Sequence, residues 1–215
     1  MIPPRPWEVG DHEARWNGYL LAPGSPVLRN KVGATTTEAL RAAENDLLEF
    51  RLTELRSQRG LVSRTYDLAH LQRLHLQLFQ DVYEWAGDLR TVGIAKGEGE
   101  DTSFVPPLDI ERPVAHVAAR IAESHLLRDV GADELVDEVT YLYDYLNFAH
   151  PFREGNGRAQ REFFAQLLAE SGRGLDWSKA DMDGLHSACH AARVDGDTSA
   201  LRTIIAVALT VDPVY

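Results

Sequence analysis

Two strongly helical stretches meet between residues 130 and 170 across an interruption that no single helix can run through. Pro151 lacks a backbone N–H and pushes His150 away from helical geometry, while Gly155 and Gly157, on either side of Asn156, allow positive φ and close backbone approach. Before the break, ADELVDEVTYLYDYLNFAH reads as a helix. After it, GRAQREFFAQLLAE has the character of another, with Phe163, Phe164, Leu167 and Leu168 available for burial. One helix therefore stops near His150 and the next opens at the glycines. The turn between them, HPFREGNGRAQR, holds a histidine, a carboxylate and three arginines.

The same helical pattern fills most of the chain. Thr35-x-x-Glu38 reads as a capping box for TEALRAAENDLLEFRLTELR, with Leu40, Leu47, Leu48 and Leu52 near the 3.6 period. Asp67 caps DLAHLQRLHLQLFQDVYEWAG, whose apolar face includes Leu68, Leu71, Leu74, Leu78, Val82 and Trp85, with Gly87 as the stop. Helices resume at LDIERPVAHVAARIAESHLL, and Asp181 and Asp197 or Thr198 can cap two more, ending near Val211. Residues 1–34 are expected to be an irregular segment packing on the body, because five of the ten prolines and three glycines fall before residue 33. Only Arg90–Pro107 breaks the helical rhythm: Thr91, Val92, Ile94, Phe104 and Val105 flank the polar turn KGEGEDTS, a short hairpin signal. The expected fold is all-α, residues 35–215 forming one domain with a single small β element.

Charge and cysteine usage narrow the function. Lys and Arg number 22 against 33 Asp and Glu, a net charge of -11, which repels nucleic-acid phosphate and argues against a DNA-binding regulator. One cysteine, Cys189, allows no internal disulfide. The start carries prolines and acids rather than an apolar leader, and IIAVAL from Ile204 is far shorter than the ~20 residues of a membrane span. A cytoplasmic protein without membrane contact is expected.

The turn has its own chemistry. Gly155, Asn156 and Gly157 sit where a helix N-terminus leaves N–H groups for an anion. Arg158 and Arg161, three apart, share a helix face and add positive charge. Glu154 beside that cradle would repel a phosphate unless a divalent cation bridged them, and Mg²⁺ suits one carboxylate plus phosphates. His150 is suited to take a proton near neutral pH. Each residue alone has an ordinary structural explanation, but their density in one turn reads as a phosphate site with a base. Elsewhere the signals are weak. His186 and His190 lie one turn apart around Cys189 without an evident third ligand; His70 and His75 do not share a face; His116 and His125 have no partner pattern.

HPFREGNGRAQR resembles the signature of the Fic-domain proteins, HPFx[D/E]GNGRxxR, at every specified position. LRNKVGATTTEAL, HLQLFQDVYEWAGDLRTVGIAKG and DWSKADMDG…GDTSALR also resemble that family, which places residues 19–209 under it. The resemblance implies a Fic-type helical bundle with a β-hairpin flap, and transfer of AMP from ATP to a Ser, Thr or Tyr hydroxyl of a target protein with release of pyrophosphate. It implies His150 as general base, Glu154 as the Mg²⁺ ligand, Gly155, Asn156 and Gly157 as the anion hole, and Arg158 and Arg161 on the β- and γ-phosphates, with Phe152 structural. Gly157 stands where the phosphorylating Doc toxins carry Lys, which favours adenylylation. Thr91, Val92, Ile94 and Phe104 are the flap residues expected to dock the target as an added strand.

Many Fic proteins are silenced by a helix bearing [S/T]xxxE[G/N]. Here Glu44-Asn45 has Leu40 where Ser or Thr is needed, and Glu98-Gly99 and Glu154-Gly155 also fail. An inhibitory glutamate meeting Arg161 is therefore expected from a small antitoxin partner, making this chain the toxin of a toxin–antitoxin pair. Two competing readings are the same site with another nucleotide or a phosphocholine donor, and a nucleotide-sensing interaction module without turnover.

Overall fold

The computed structural model describes residues 3–58, 60–95 and 104–214. Eight α-helices are found among them: α1 (His12–Gly18), α2 (Thr37–Ser57), α3 (Leu68–Phe79), α4 (Glu111–Glu123), α5 (Ala132–Ala149), α6 (Asn156–Glu170), α7 (Met182–Asp195) and α8 (Ser199–Ala208). The fold is all-α. Its one named sheet pairs β1 (Gly174–Leu175) antiparallel with β2 (Leu209–Thr210). No described helix is long and apolar enough to cross a membrane.

Several ends lie where local chemistry puts them. The Asp67 side chain accepts from the His70 N–H to open α3, and Asp181 accepts from the Asp183 N–H to open α7. The α2 cap is Thr36, not Thr35, and it accepts from Ala39, so the expected capping box does not form. The third helix stops at Phe79 instead of running to Gly87. Residues 80–87 continue as turns that still bury Val82 and Trp85. The N-terminal segment is not wholly irregular: Asp11 caps α1 through the Ala14 N–H.

Helix α6 is the centre of the bundle, packed against both α3 and α5. Its Phe163, Phe164, Leu167 and Leu168 are buried, and so are its polar Gln160, Glu162 and Gln166. Each of these polar groups has a partner, as burial requires. Gln160 donates to the Tyr143 carbonyl at 2.6 Å, Glu162 pairs with Arg56 at 3.0 Å, and the Gln166 carbonyl oxygen meets His70 Nε2 at 3.2 Å. A rigid, satisfied α6 gives the turn that precedes it a fixed base.

Candidate active site

Helix α5 ends in a strained conformation. His150 has φ 41°, left-handed geometry for a non-glycine residue, and holds it because its neighbours fix both sides of the peptide. The Arg90 Nε donates to the His150 carbonyl at 2.8 Å, and the Arg90 N–H donates to the Pro151 carbonyl at 2.9 Å. The imidazole Nδ1 lies 3.3 Å from the Asn147 carbonyl. A carbonyl only accepts, so Nδ1 carries the proton and Nε2 is the nitrogen able to take one.

The loop after Pro151 is stitched by its own asparagine. The Asn156 side chain accepts from the Phe152 N–H at 2.8 Å and donates to the Phe152 carbonyl at 2.7 Å. The Asn156 side chain is therefore buried and structural, and Asn156 can serve an anion only through its backbone. The first intrahelical bond of α6 runs from Ala159 to Gly155 at 3.1 Å, which leaves the N–H groups of Asn156, Gly157 and Arg158 ahead of it. Gly155 has φ 83°, and a Cβ there would lie 2.6 Å from the Phe79 ring and 3.0 Å from His75 Nε2. Only glycine fits.

Beneath the loop lies His75. Its Nδ1 accepts from the Gly87 N–H at 2.9 Å, so its Nε2 carries the proton donated to the Glu154 carbonyl at 2.8 Å. Its ring stacks on buried Phe152, centroids 3.8 Å apart. Full burial pushes its pKa down to about 3, which keeps it neutral. Sequence spacing gave this histidine no role, because the partner that matters is 79 residues away.

Arg158 is held between two carboxylates. It pairs with Glu154 at 3.2 Å and with Glu44 of α2, while its guanidinium carbon lies 4.9 Å over the Phe79 ring. Glu44 is buried and also receives the Tyr83 hydroxyl. The Glu44-Asn45 dipeptide that the sequence motif set aside thus does reach the site, at Arg158. Among the described residues no carboxylate pairs with Arg161.

Two cavities open beside this loop. One, about 290 Å³, is lined by His150, Phe104, Asn147, Gly157 and Arg161; the other, about 580 Å³, by Glu44, Arg158, Gly155 and Arg161. Arg153, Glu154, Gly157, Arg161 and His186 belong to both, so the spaces adjoin along the start of α6. The Glu154 side chain is 46% exposed, placing a carboxylate at their shared border. No group of three or more His, Cys, Asp or Glu suited to a metal occurs among the described residues, His186, Cys189 and His190 included. A single half-exposed carboxylate beside an anion cradle fits a Mg²⁺ ion that takes its remaining ligands from phosphate and water.

The hairpin residues divide. The Phe104 N–H donates to the Ile94 carbonyl at 3.1 Å, and both side chains line cavities at the flap. Thr91 and Val92 turn inward instead. The Thr91 hydroxyl donates to the Trp7 carbonyl, its N–H donates to the Tyr19 hydroxyl at 3.2 Å, and the Val92 side chain is buried. Val92 cannot offer its side chain to a docked strand, and the Thr91 hydroxyl is committed to Trp7, although the residue still borders the cavity beside Ile94 and Phe104. The turn KGEGEDTS lies outside the described residues. Holding the hairpin base is Arg90, a residue with no sequence signal, buried and donating also to the carbonyls of Val92 (2.8 Å), Val105 and Ala149 (3.4 Å). Burial without a carboxylate pulls its pKa down to about 10.

The sequence model of the Fic/DOC family matches residues 65–168. A curated relative, "Probable protein adenylyltransferase Fic" of Salmonella typhimurium, is 33% identical over 88% of this chain and 91% of its own length. This chain belongs to the Fic/DOC family. "Protein adenylyltransferase VbhT" of Bartonella schoenbuchensis is 36% identical over 74% of this chain; the match spans 32% of that longer protein. Among solved structures, BepC of Bartonella tribocorum, with bound AMPPNP, superposes with a TM-score of 0.81 over 90% of this chain and 96% of that one. At 23% identity that likeness shows the shared Fic fold.

Proposed function

We propose that this Fic domain is a protein adenylyltransferase that moves AMP from ATP to a hydroxyl side chain of a target protein. The observation that carries the reading is the adjacency of His150 to the α6 N-terminus: one continuous border of Arg153, Glu154, Gly157 and Arg161 joins the cavity of the base to the cavity of the arginines. A triphosphate along that border meets the backbone N–H groups, Arg158 and Arg161, with its α-phosphorus toward the imidazole. The acceptor oxygen bonds to that phosphorus, the bond to the α–β bridging oxygen breaks, the hydroxyl proton passes to His150 Nε2, and pyrophosphate leaves with the electron pair. The protein contributes position and charge, which suits in-line displacement. The names of the curated relatives support this reading.

Glu154 would hold Mg²⁺, whose charge would offset that of the phosphates. The backbone edge at Gly93–Ala95, with the Ile94 and Phe104 side chains beside it, would take the target segment as an added strand. Residues 35–215 form the catalytic unit, on which residues 1–34 pack, and a cytoplasmic location would supply the ATP. A small antitoxin would silence the enzyme by bringing a glutamate to Arg161, which has no carboxylate of its own among the described residues. Incubating the purified chain with lysate and α-labelled ATP, with and without Mg²⁺, tests the core of this reading. His150→Ala should abolish labelling while ATP binding, followed by calorimetry, persists. Retained labelling would discard the base assignment. Wild type that labels only after residues 1–34 are removed would discard the antitoxin.

A further inference from the structure

Arg153 stands between Phe152 and Glu154, at a position for which the motif specifies no residue. Its guanidinium carbon lies 4.4 Å from the ring centroid of Trp16 and 5.9 Å from that of Tyr19. Both rings come from the N-terminal segment and hold the cation by its face. The residue is mostly buried, and its Nε is a buried donor with no hydrogen-bond partner. Among the described residues no carboxylate pairs with it, since the neighbouring Glu154 is turned to Arg158. A guanidinium in such surroundings is costly unless an anion meets it. Arg153 also lines both the cavity of His150 and the cavity of Arg158, so any anion bridging the two passes beside it.

We propose that Arg153 is a third arginine of the anion site, donating to the non-bridging oxygens of the phosphate that is transferred. The inference rests on the adenylyltransferase reading for its reaction and on the structure alone for its anion. Arg158 and Arg161 project from α6, whereas Arg153 projects from the loop that follows His150. It therefore supplies charge at the phosphorus where one P–O bond forms and another breaks, and the proton, the AMP group and the pyrophosphate move as described above. Trp16 is a positioning residue, because its ring keeps the guanidinium oriented and reduces the freedom lost when the phosphate arrives.

The test compares Arg153→Met, Arg153→Lys, Arg153→Ala and Trp16→Leu in the full chain. The rate at saturating α-labelled ATP with lysate proteins as acceptors, the KM for ATP, ATP affinity by calorimetry and the melting temperature are measured for each. Arg153→Met keeps an unbranched side chain on Trp16 and removes the charge. Its rate should fall roughly 100-fold, the loss typical of removing one preorganised donor, with a smaller change in KM. Arg153→Lys should recover part of the loss, and guanidinium added to Arg153→Ala should restore activity in a concentration-dependent way. Trp16→Leu should lose rate while keeping the cation. A full rate in Arg153→Met, whatever its melting temperature, overturns the proposal and leaves Arg153 as a brace for the N-terminal segment. If wild type binds ATP but labels nothing, the transferase reading fails, and the arginine is judged on binding. An affinity about tenfold weaker in Arg153→Met then upholds the phosphate contact, and an unchanged one overturns it.

Discussion

The ring of Phe104 lies on the imidazole of His150, centroids 3.7 Å apart and planes 17° from parallel. Its other neighbour is the Arg193 guanidinium, 4.4 Å from the Phe104 centroid. Phe104 therefore touches the proposed base directly, and its ring limits the tilt of the imidazole. Phe104→Ala should lower the AMP-transfer rate about tenfold, the equivalent of one stacked ring pair, with ATP affinity unchanged. Phe104→Tyr should be near wild type. Steady-state rates with α-labelled ATP check both; an unchanged rate in the alanine variant would mean that the stacked Phe104 ring does not orient the imidazole.

Glu44, Tyr83 and Arg158 form one linked unit, the first two of them buried. Tyr83 donates to Glu44, the Glu44 carboxylate faces Arg158, and removing Glu44 leaves a hydroxyl and a half-buried cation short of a partner. Glu44→Ala should cost about 2–3 kcal/mol of stability. The loss should be non-additive with Tyr83→Phe, because both changes delete the same hydrogen bond. Urea unfolding of the two single variants and the double variant measures the coupling. Strict additivity would show that the contact contributes nothing.

Gly155 tests the floor of the loop. An alanine there must displace the Phe79 ring, 2.6 Å from the new Cβ, while holding a φ of 83°. The relief available is to lift the loop off His75 and Phe79, which moves the start of α6. Gly155→Ala should lose AMP transfer by more than about 100-fold and destabilise the fold by about 1–3 kcal/mol. Gly157 has negative φ, and its nearest contact on the same test is the mobile end of Arg161 at 3.3 Å, so Gly157→Ala should spare stability and weaken ATP binding. Thermal melts and ATP titrations separate the two.

What could be read from the sequence was mostly local. Asp67 and Asp181 cap helices because each bonds an N–H two or three residues away, and the break at Pro151–Gly155 follows from backbone sterics. What escaped depends on distant partners. Arg90 and His75 act through carbonyls 60 and 79 residues off, and no spacing rule connects them. Glu44 fails the local motif yet is delivered to Arg158 by the packing of α2. Alternation in the hairpin leaves open which face is inward, and Trp7 and Tyr19 decide it for Thr91. The two-residue strands β1 and β2 are too short for a period, and their pairing joins residues far apart in the chain. Helix α1 carried a legible Asp11 cap, but the prolines at 3, 4 and 6 argued for an irregular segment.

The buried histidines make acid stability a direct readout of the support under the active-site loop. Burial holds His70 at about 4 and His75 at about 3, against an ordinary value of 6.5, so both are neutral in the folded protein. An unfolded chain takes up a proton at each as pH drops below 6.5, whereas the folded chain does not until far lower. Stability from these groups is therefore complete above about pH 6.5 and declines as pH falls, by about 1.4 kcal/mol per pH unit for each histidine. The decline from His70 ends near pH 4 and that from His75 near pH 3. His75→Gln keeps a donor for the Glu154 carbonyl and an acceptor for the Gly87 N–H but cannot titrate. It should be less stable than wild type at pH 7, and its stability should fall less steeply between pH 6 and 4.5, by about 1.4 kcal/mol per unit. Urea unfolding across that range measures the slope. A slope equal to that of wild type would mean that His75 is not held neutral, and its Nδ1 could then not be the acceptor of the Gly87 N–H.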